Sequence, residues 1–110
     1  MKFIITESKL EQTVFKYLDN RDFVEFETNR SIYFVYSKGD RYSQIRFDKD
    51  DLWVGMADEL CIEVSSFFSI SKEESIKIIG LWVKNKFKIR EPLLVQSYLK
   101  NDIPILMVPY

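Results

Sequence analysis

Three groups of side chains have the types and spacing from which chemistry is usually built. The first is acidic. Asp48, Asp50 and Asp51 crowd one short stretch, with Asp58, Glu59 and Glu63 close behind, and clustered carboxylate oxygens are what a hard cation needs. A cation loop also needs oxygens at set spacings and a glycine at its turn. Here Leu52 follows the acids and Gly55 comes too late, so a solvated turn is the preferred reading. Asp58 and Glu59 suit the start of a helix, where the dipole favours negative charge. The second group is nucleophilic. Cys61 has no histidine to activate it, because the chain contains none. Its apolar neighbours also favour the neutral thiol, so a buried core cysteine is expected. Ser65 and Ser66 likewise have no base nearby, and the Glu73–Glu74 pair lacks an apolar setting that would split its pKa values.

The third group is basic. Lys84, Lys86, Lys88 and Arg90 alternate along one run. Joined to Tyr33, Tyr36, Arg41, Tyr42 and Arg46 they would make a surface of stacking rings beside cations, as in sheets that bind single strands. The balance of the chain speaks against it: 16 basic and 17 acidic residues leave a formal charge of −1, and no ribonucleoprotein-type aromatic motif is present. Lysines near a helix end also have a plainer role in opposing the dipole. With no histidine, one cysteine and three glycines, the usual means of proton transfer, zinc binding and phosphate cradling are missing together. The expectation is a protein with no catalytic residue, no metal site and no cofactor.

The elements that must position these groups follow from periodicity. At 110 residues the chain has the length of a single domain, 1–110. Thr6 reads as an N-cap, with Ile5 and Leu10 spaced as a hydrophobic staple and Leu10, Val14, Tyr17 and Leu18 on one helical face. Phe3–Ile5 is a short apolar lead, readable as an edge strand and too short for a signal-peptide core. Strand-like runs follow at Phe23–Thr28, Ser31–Ser37, Tyr42–Phe47 and Leu52–Val54, separated by Asn29–Arg30, Lys38–Asp40 and Asp48–Asp51. They predict an antiparallel meander of three to four strands. Ser31–Ser37 is apolar on both faces and belongs at the sheet centre. Gly55 is expected to close the fourth strand. A helix is predicted over 57–69, and another from the capping box Ser71–Glu74 to about Phe87. Ile76, Ile79, Val83 and Phe87 line one face of that last helix, and Ile78, Leu81 and Trp82 a second. Gly80 in its middle implies a close neighbouring backbone. Pro92–Lys100 would be a short helix begun by proline. Ile103–Tyr110 is extended, apolar and broken by two prolines, so 92–110 forms a tail or interface segment. The fold class is α+β: N-terminal helix, meander, two helices, extended tail.

The opening Met1-Lys2-Phe3-Ile4-Ile5-Thr6-Glu7-Ser8-Lys9-Leu10-Glu11, continuing through Phe15–Asp19, resembles short uncharacterised proteins encoded by bacteriophages, marine ones especially. Glu59-Leu60, Val64–Phe68, Glu74-Ser75, Ile78–Gly80 and Trp82-Val83 extend the resemblance over residues 1–87. It implies a setting in an infected bacterium or in the virion. It implies no activity, and the tail departs from it.

The expected function is binding, to another protein or to a second copy in a homo-oligomer, with no bond made or broken. Trp53, Trp82, Ile103, Ile105, Leu106, Val108 and Tyr110 are the candidate interface residues, because aromatic and apolar anchors dominate such surfaces. The tail either covers its own sheet or adds to the sheet edge of another copy. The alternative is a nucleic-acid-binding accessory protein using Tyr33, Tyr36, Arg41, Tyr42, Arg46, Lys84, Lys86 and Lys88. No apolar run approaches the roughly 20 residues that span a bilayer, so a cytoplasmic location without membrane partners is expected.

Overall fold

A computed structural model describes residues 7–99 and 104–110. The elements run in the order α1 (Glu7–Asp19), β1 (Val24–Glu27), β2 (Ser31–Val35), β3 (Ile45–Asp48), β4 (Trp53–Ala57), α2 (Asp58–Phe68), α3 (Lys72–Lys86) and β5 (Leu94–Tyr98). A 3₁₀ turn follows at Pro104–Leu106. The Thr6 cap, the Ile5 staple and the Phe3–Ile5 lead lie outside the described residues. This is an α+β fold, and β1 to β4 form the expected meander.

The strands lie in the order β1-β2-β3-β4-β5. The first four pair antiparallel, and β5 lies parallel to β4. The predicted helix at Pro92–Lys100 is therefore a fifth strand, and the sheet is mixed. The reason is the connection. A parallel partner needs a long crossover, and α2 plus α3 supply it, returning the chain beside β4, where Val95 packs against α3. Gly55 lies inside β4 rather than closing it. A Cβ there would stand 2.5 Å from Trp53 Cη2, so any other residue requires the indole to move.

Alternation assigns each side chain to one of two faces. Ile32, Phe34, Ile45, Phe47, Val54 and Met56 face the helices and join Val14, Leu18, Leu60, Val64, Ile78, Ile79 and Val83 in the main core. Phe34 is its centre, ringed by Phe23, Trp82 and Phe87 at centroid distances of 6.2, 5.5 and 6.0 Å. All five residues of β2 are buried, as its two apolar faces predicted. Ser71 caps α3, its hydroxyl accepting from the Glu74 N–H at 3.0 Å. Gly80 lets α3 approach β5, but the close neighbour is a side chain: a Cβ would meet Val95 Cγ2 at 2.7 Å.

Over β1 to β3 the second face is covered by residues 104–110 of the same chain. Val108 packs with Tyr33, Val35 and Phe26. Ser43 donates its N–H and hydroxyl to the Leu106 carbonyl at 2.7 and 2.9 Å, and Tyr42 bridges Met107. The strand expected at Tyr42–Phe47 thus starts only at Ile45, because its first half holds this segment. Of the two roles open to the tail, its described part takes the first. Among the described residues no helix is long and apolar enough to cross a membrane.

Candidate functional site

The sheet ends in two edges of opposite chemistry. At β5 the run Pro92–Leu99 carries no charged residue. Leu94 and Leu99 are 60% and 57% exposed. On the second face, Leu94, Gln96 and Tyr98 stand beside Trp53, Gly55 and Ala57 of β4. The Trp53 and Tyr98 rings lie 5.8 Å apart. Trp53 Nε1–H donates to Gln96 Oε1 at 3.3 Å, and the Tyr98 hydroxyl donates to the same oxygen. The result is a braced aromatic platform running out to an open strand.

The β1 edge reads Val-Glu-Phe-Glu. Its register places Glu25 and Glu27 across from Phe34 and Ile32, on the helical face. There Glu25 pairs with Lys86 at 3.4 Å and Glu27 with Lys49 at 2.8 Å. Val24 and Phe26 face the other way, Phe26 beneath Tyr110 at 5.1 Å between ring centroids.

Beside β5 on the helical face, a cleft of about 430 Å³ is lined by Glu73, Ile76, Lys77, Gly80, Leu81, Lys84, Pro92, Leu93 and Val95. A second, of about 450 Å³, continues past Leu81 and Lys84 to Lys88, Ile89, Arg90 and Phe15, with Glu11 at its side. Among the described residues, Lys84, Lys88 and Arg90 have no carboxylate within ion-pair distance.

The candidate interface residues divide. Trp53 and Ile105 are partly exposed and flank a cleft of about 300 Å³ with Arg46, Asp48, Asp51 and Leu94. Tyr110 is exposed. Trp82 is only 4% exposed, fixed in the core by a 2.9 Å hydrogen bond from its indole to Asp19. Leu106 and Val108 are buried as well. These three are not surface anchors, because burying large apolar groups in cis is what stabilises so small a core. Ile103 lies outside the described residues.

The candidate nucleic-acid residues do not converge. Tyr33 is buried under the C-terminal segment. Arg46 stacks over Tyr33 and donates to Ser31 Oγ and the Ile105 carbonyl at 3.1 and 3.0 Å, so it holds that segment in place. Tyr36, Arg41 and Tyr42 share a cleft at one end of the sheet with Asp40 and Glu59. Lys84, Lys86 and Lys88 belong to the helical layer, on the other side of the sheet from Arg46. Strand alternation carries Tyr33 and Arg46 to the face opposite the helices, which no composition count reveals.

The acidic turn is occupied by its own chain. Asp48 Oδ1 accepts the N–H groups of Asp50 and Asp51, both at 3.0 Å, and Arg30 bridges Asp48 and Asp51. Burial opposes the Asp48 charge, yet the Asp51 N–H and the Arg30 guanidinium together hold its carboxyl below the usual value. Among the described residues no three acidic or thiol side chains gather as a metal site would. Cys61 is buried, and burial first, then Asp58, pushes its thiol up to about 12.

Sequence reading missed one polar cluster. Tyr17 donates to Glu63 at 2.6 Å, and Arg21 donates to both Glu63 oxygens and, at 3.2 Å, to Tyr36. Burial first, then the Glu63 hydrogen bond, push Tyr17 up to about 12. The i, i+4 spacing of Tyr17 and Arg21 was a visible signal; Glu63 was not, being 46 residues from Tyr17. No protein-family model matches the chain, and neither does any curated protein or solved structure.

Proposed function

We propose that this protein is a non-catalytic protein-binding module, of phage-like type, that self-associates by extending its sheet at β5. The observation that carries the reading is the uncharged edge strand, which no other described strand covers, with Leu94 and Leu99 exposed beside the Trp53–Tyr98 platform. Natural sheets protect such edges with charge, proline or a covering element, because unpaired N–H and C=O groups recruit another strand. Apolar flanks add the burial that stabilises the pair. The groups that chemistry would require are spent elsewhere: Asp48 on its turn, Cys61 in the core, Glu63 on Arg21. The test is the solution mass of the full chain across concentration, beside Leu94→Lys. Association that the lysine abolishes supports the reading. A wild-type chain that stays at 13.2 kDa throughout sinks it.

A second reading rests on Lys84, Lys88 and Arg90, which have no carboxylate partner among the described residues and suit a phosphate backbone. It requires retention of a single-stranded oligonucleotide that weakens steeply with salt. Salt-independent or absent retention removes it.

A further inference from the structure

The two edges of this sheet are complementary to each other, and neither is complementary to itself. We infer that the occupant of the β5 edge is the β1 strand of a second copy, joined head to tail. This rests on the edge-association reading above and names the partner within it.

Strand direction comes first. β1 to β4 alternate, and β5 runs with β4, so β1 and β5 point opposite ways. A copy translated across the sheet therefore sets its β1 antiparallel to β5, the more stable pairing. Its helices stay on the same side as the first copy's helices.

Side-chain chemistry then matches on both faces. On the second face Val24 (39% exposed) and Phe26 of the incoming strand meet Leu94 and Tyr98, apolar on apolar, with Gln96 between them. On the helical face Glu25 and Glu27 meet Val95 and Ser97, beside the cleft that Lys84 lines. Glu73 is the one acid of that cleft, and Lys84 has no carboxylate partner among the described residues. The in-chain pairs of Glu25 and Glu27 leave both carboxylates well exposed, and exposed pairs are easily shared.

The symmetric alternatives fail on charge. Antiparallel pairing of β5 with another β5, helices on one side, sets Lys84 against the Lys84 of the other copy. Pairing β1 with β1 sets Glu25 and Glu27 against themselves. Like charges across a strand pair are destabilising, so the charge pattern selects the head-to-tail joint. That joint is heterologous, and it continues into a ring or an open filament rather than stopping at two.

The experiment is light scattering of the full chain over a concentration series, with a charge swap. Wild type should grow past the dimer. Glu25→Lys/Glu27→Lys alone, and Lys84→Glu alone, should each raise the concentration for half-association by about tenfold or more. An equimolar mixture should associate again, because each joint between unlike variants then sets opposite charges across positions 25, 27 and 84. A mass that stops at two and ignores the Glu25→Lys/Glu27→Lys change overturns the head-to-tail joint and leaves association at β5 standing. A monomer at all concentrations overturns both. Circular dichroism checks each fold. Should the double reversal unfold, Glu25→Gln/Glu27→Gln replaces it, with a smaller rise expected and an unchanged curve overturning the joint.

Discussion

β1 and β5 are both edge strands of one sheet, yet they are built on opposite plans. β1 alternates acid with apolar residue, and its acids are tied to Lys86 and Lys49. β5 has no charge, and it is anchored from beneath, where Val95 fills the space that Gly80 leaves in α3. The first edge is held by ion pairs at the surface and the second by packing. The difference teaches where each is vulnerable: exposed ion pairs contribute little and yield to salt, whereas a filled interior contact yields only to a change of volume.

The largest effect should therefore come from volume at β5. Gly80→Val drives a branched side chain into Val95, and overpacking of this kind costs about 3 kcal/mol. Urea unfolding should show it, and amide exchange should show β5 loosening before β1. Val95→Ala in the same chain should recover a good part of the loss. Absence of coupling between the two would mean that Gly80 is not what seats β5.

Next comes the turn between β3 and β4. Asp48→Ala removes the acceptor for two backbone N–H groups and for Arg30, an expected loss of about 1–2 kcal/mol. Asp48→Asn keeps the acceptor oxygen and should cost less. Because the folded carboxyl lies below its ordinary value, its contribution is complete above about pH 4 and is lost as pH falls through the folded value. Wild type should thus lose stability on acidification more steeply than Asp48→Asn. Equal slopes would show that the charge contributes nothing.

A smaller effect is expected at the far end of α1. Tyr17 is held neutral to about 12, above its unfolded value of about 10. Its contribution is present below about pH 10 and is lost as pH rises through the folded value. Tyr17→Phe should flatten that alkaline decline, and β5 association should be indifferent to it. Smallest in energy but sharpest in readout is Cys61: the native thiol should resist a thiol reagent at neutral pH, and react at the unfolding rate once denaturant is added. Fast labelling of native protein would show that the contact between α2 and the sheet opens readily.

Much of the architecture was legible. The meander, the two helices after it, the Ser71 cap and the interior place of β2 follow from period, turn residues and branched side chains, which are local properties; the centre of the sheet is β3. The fifth strand was not, because Pro-Leu-Leu-Val-Gln-Ser-Tyr is consistent with either a proline-led helix or a strand. Only the presence of β4 as a neighbour, with ladder bonds to offer, decides between them. Trp82 was a contact candidate for a related reason: its type suits both places, the core more often, and Asp19 fixes it in the core from 63 residues away.

By itself, then, the sequence determined what each segment prefers locally, and that the chain has no histidine and one cysteine. The tertiary structure alone decided the rest: a parallel partner for β4, cover over β1 to β3 on the second face by residues 104–110, the parting of Arg46 from Lys84 across the sheet, and an edge at β5 with no charge on it. Each of these depends on which strands become neighbours, and neighbours distant in the chain are chosen by the burial of the whole core rather than by any local run of residues.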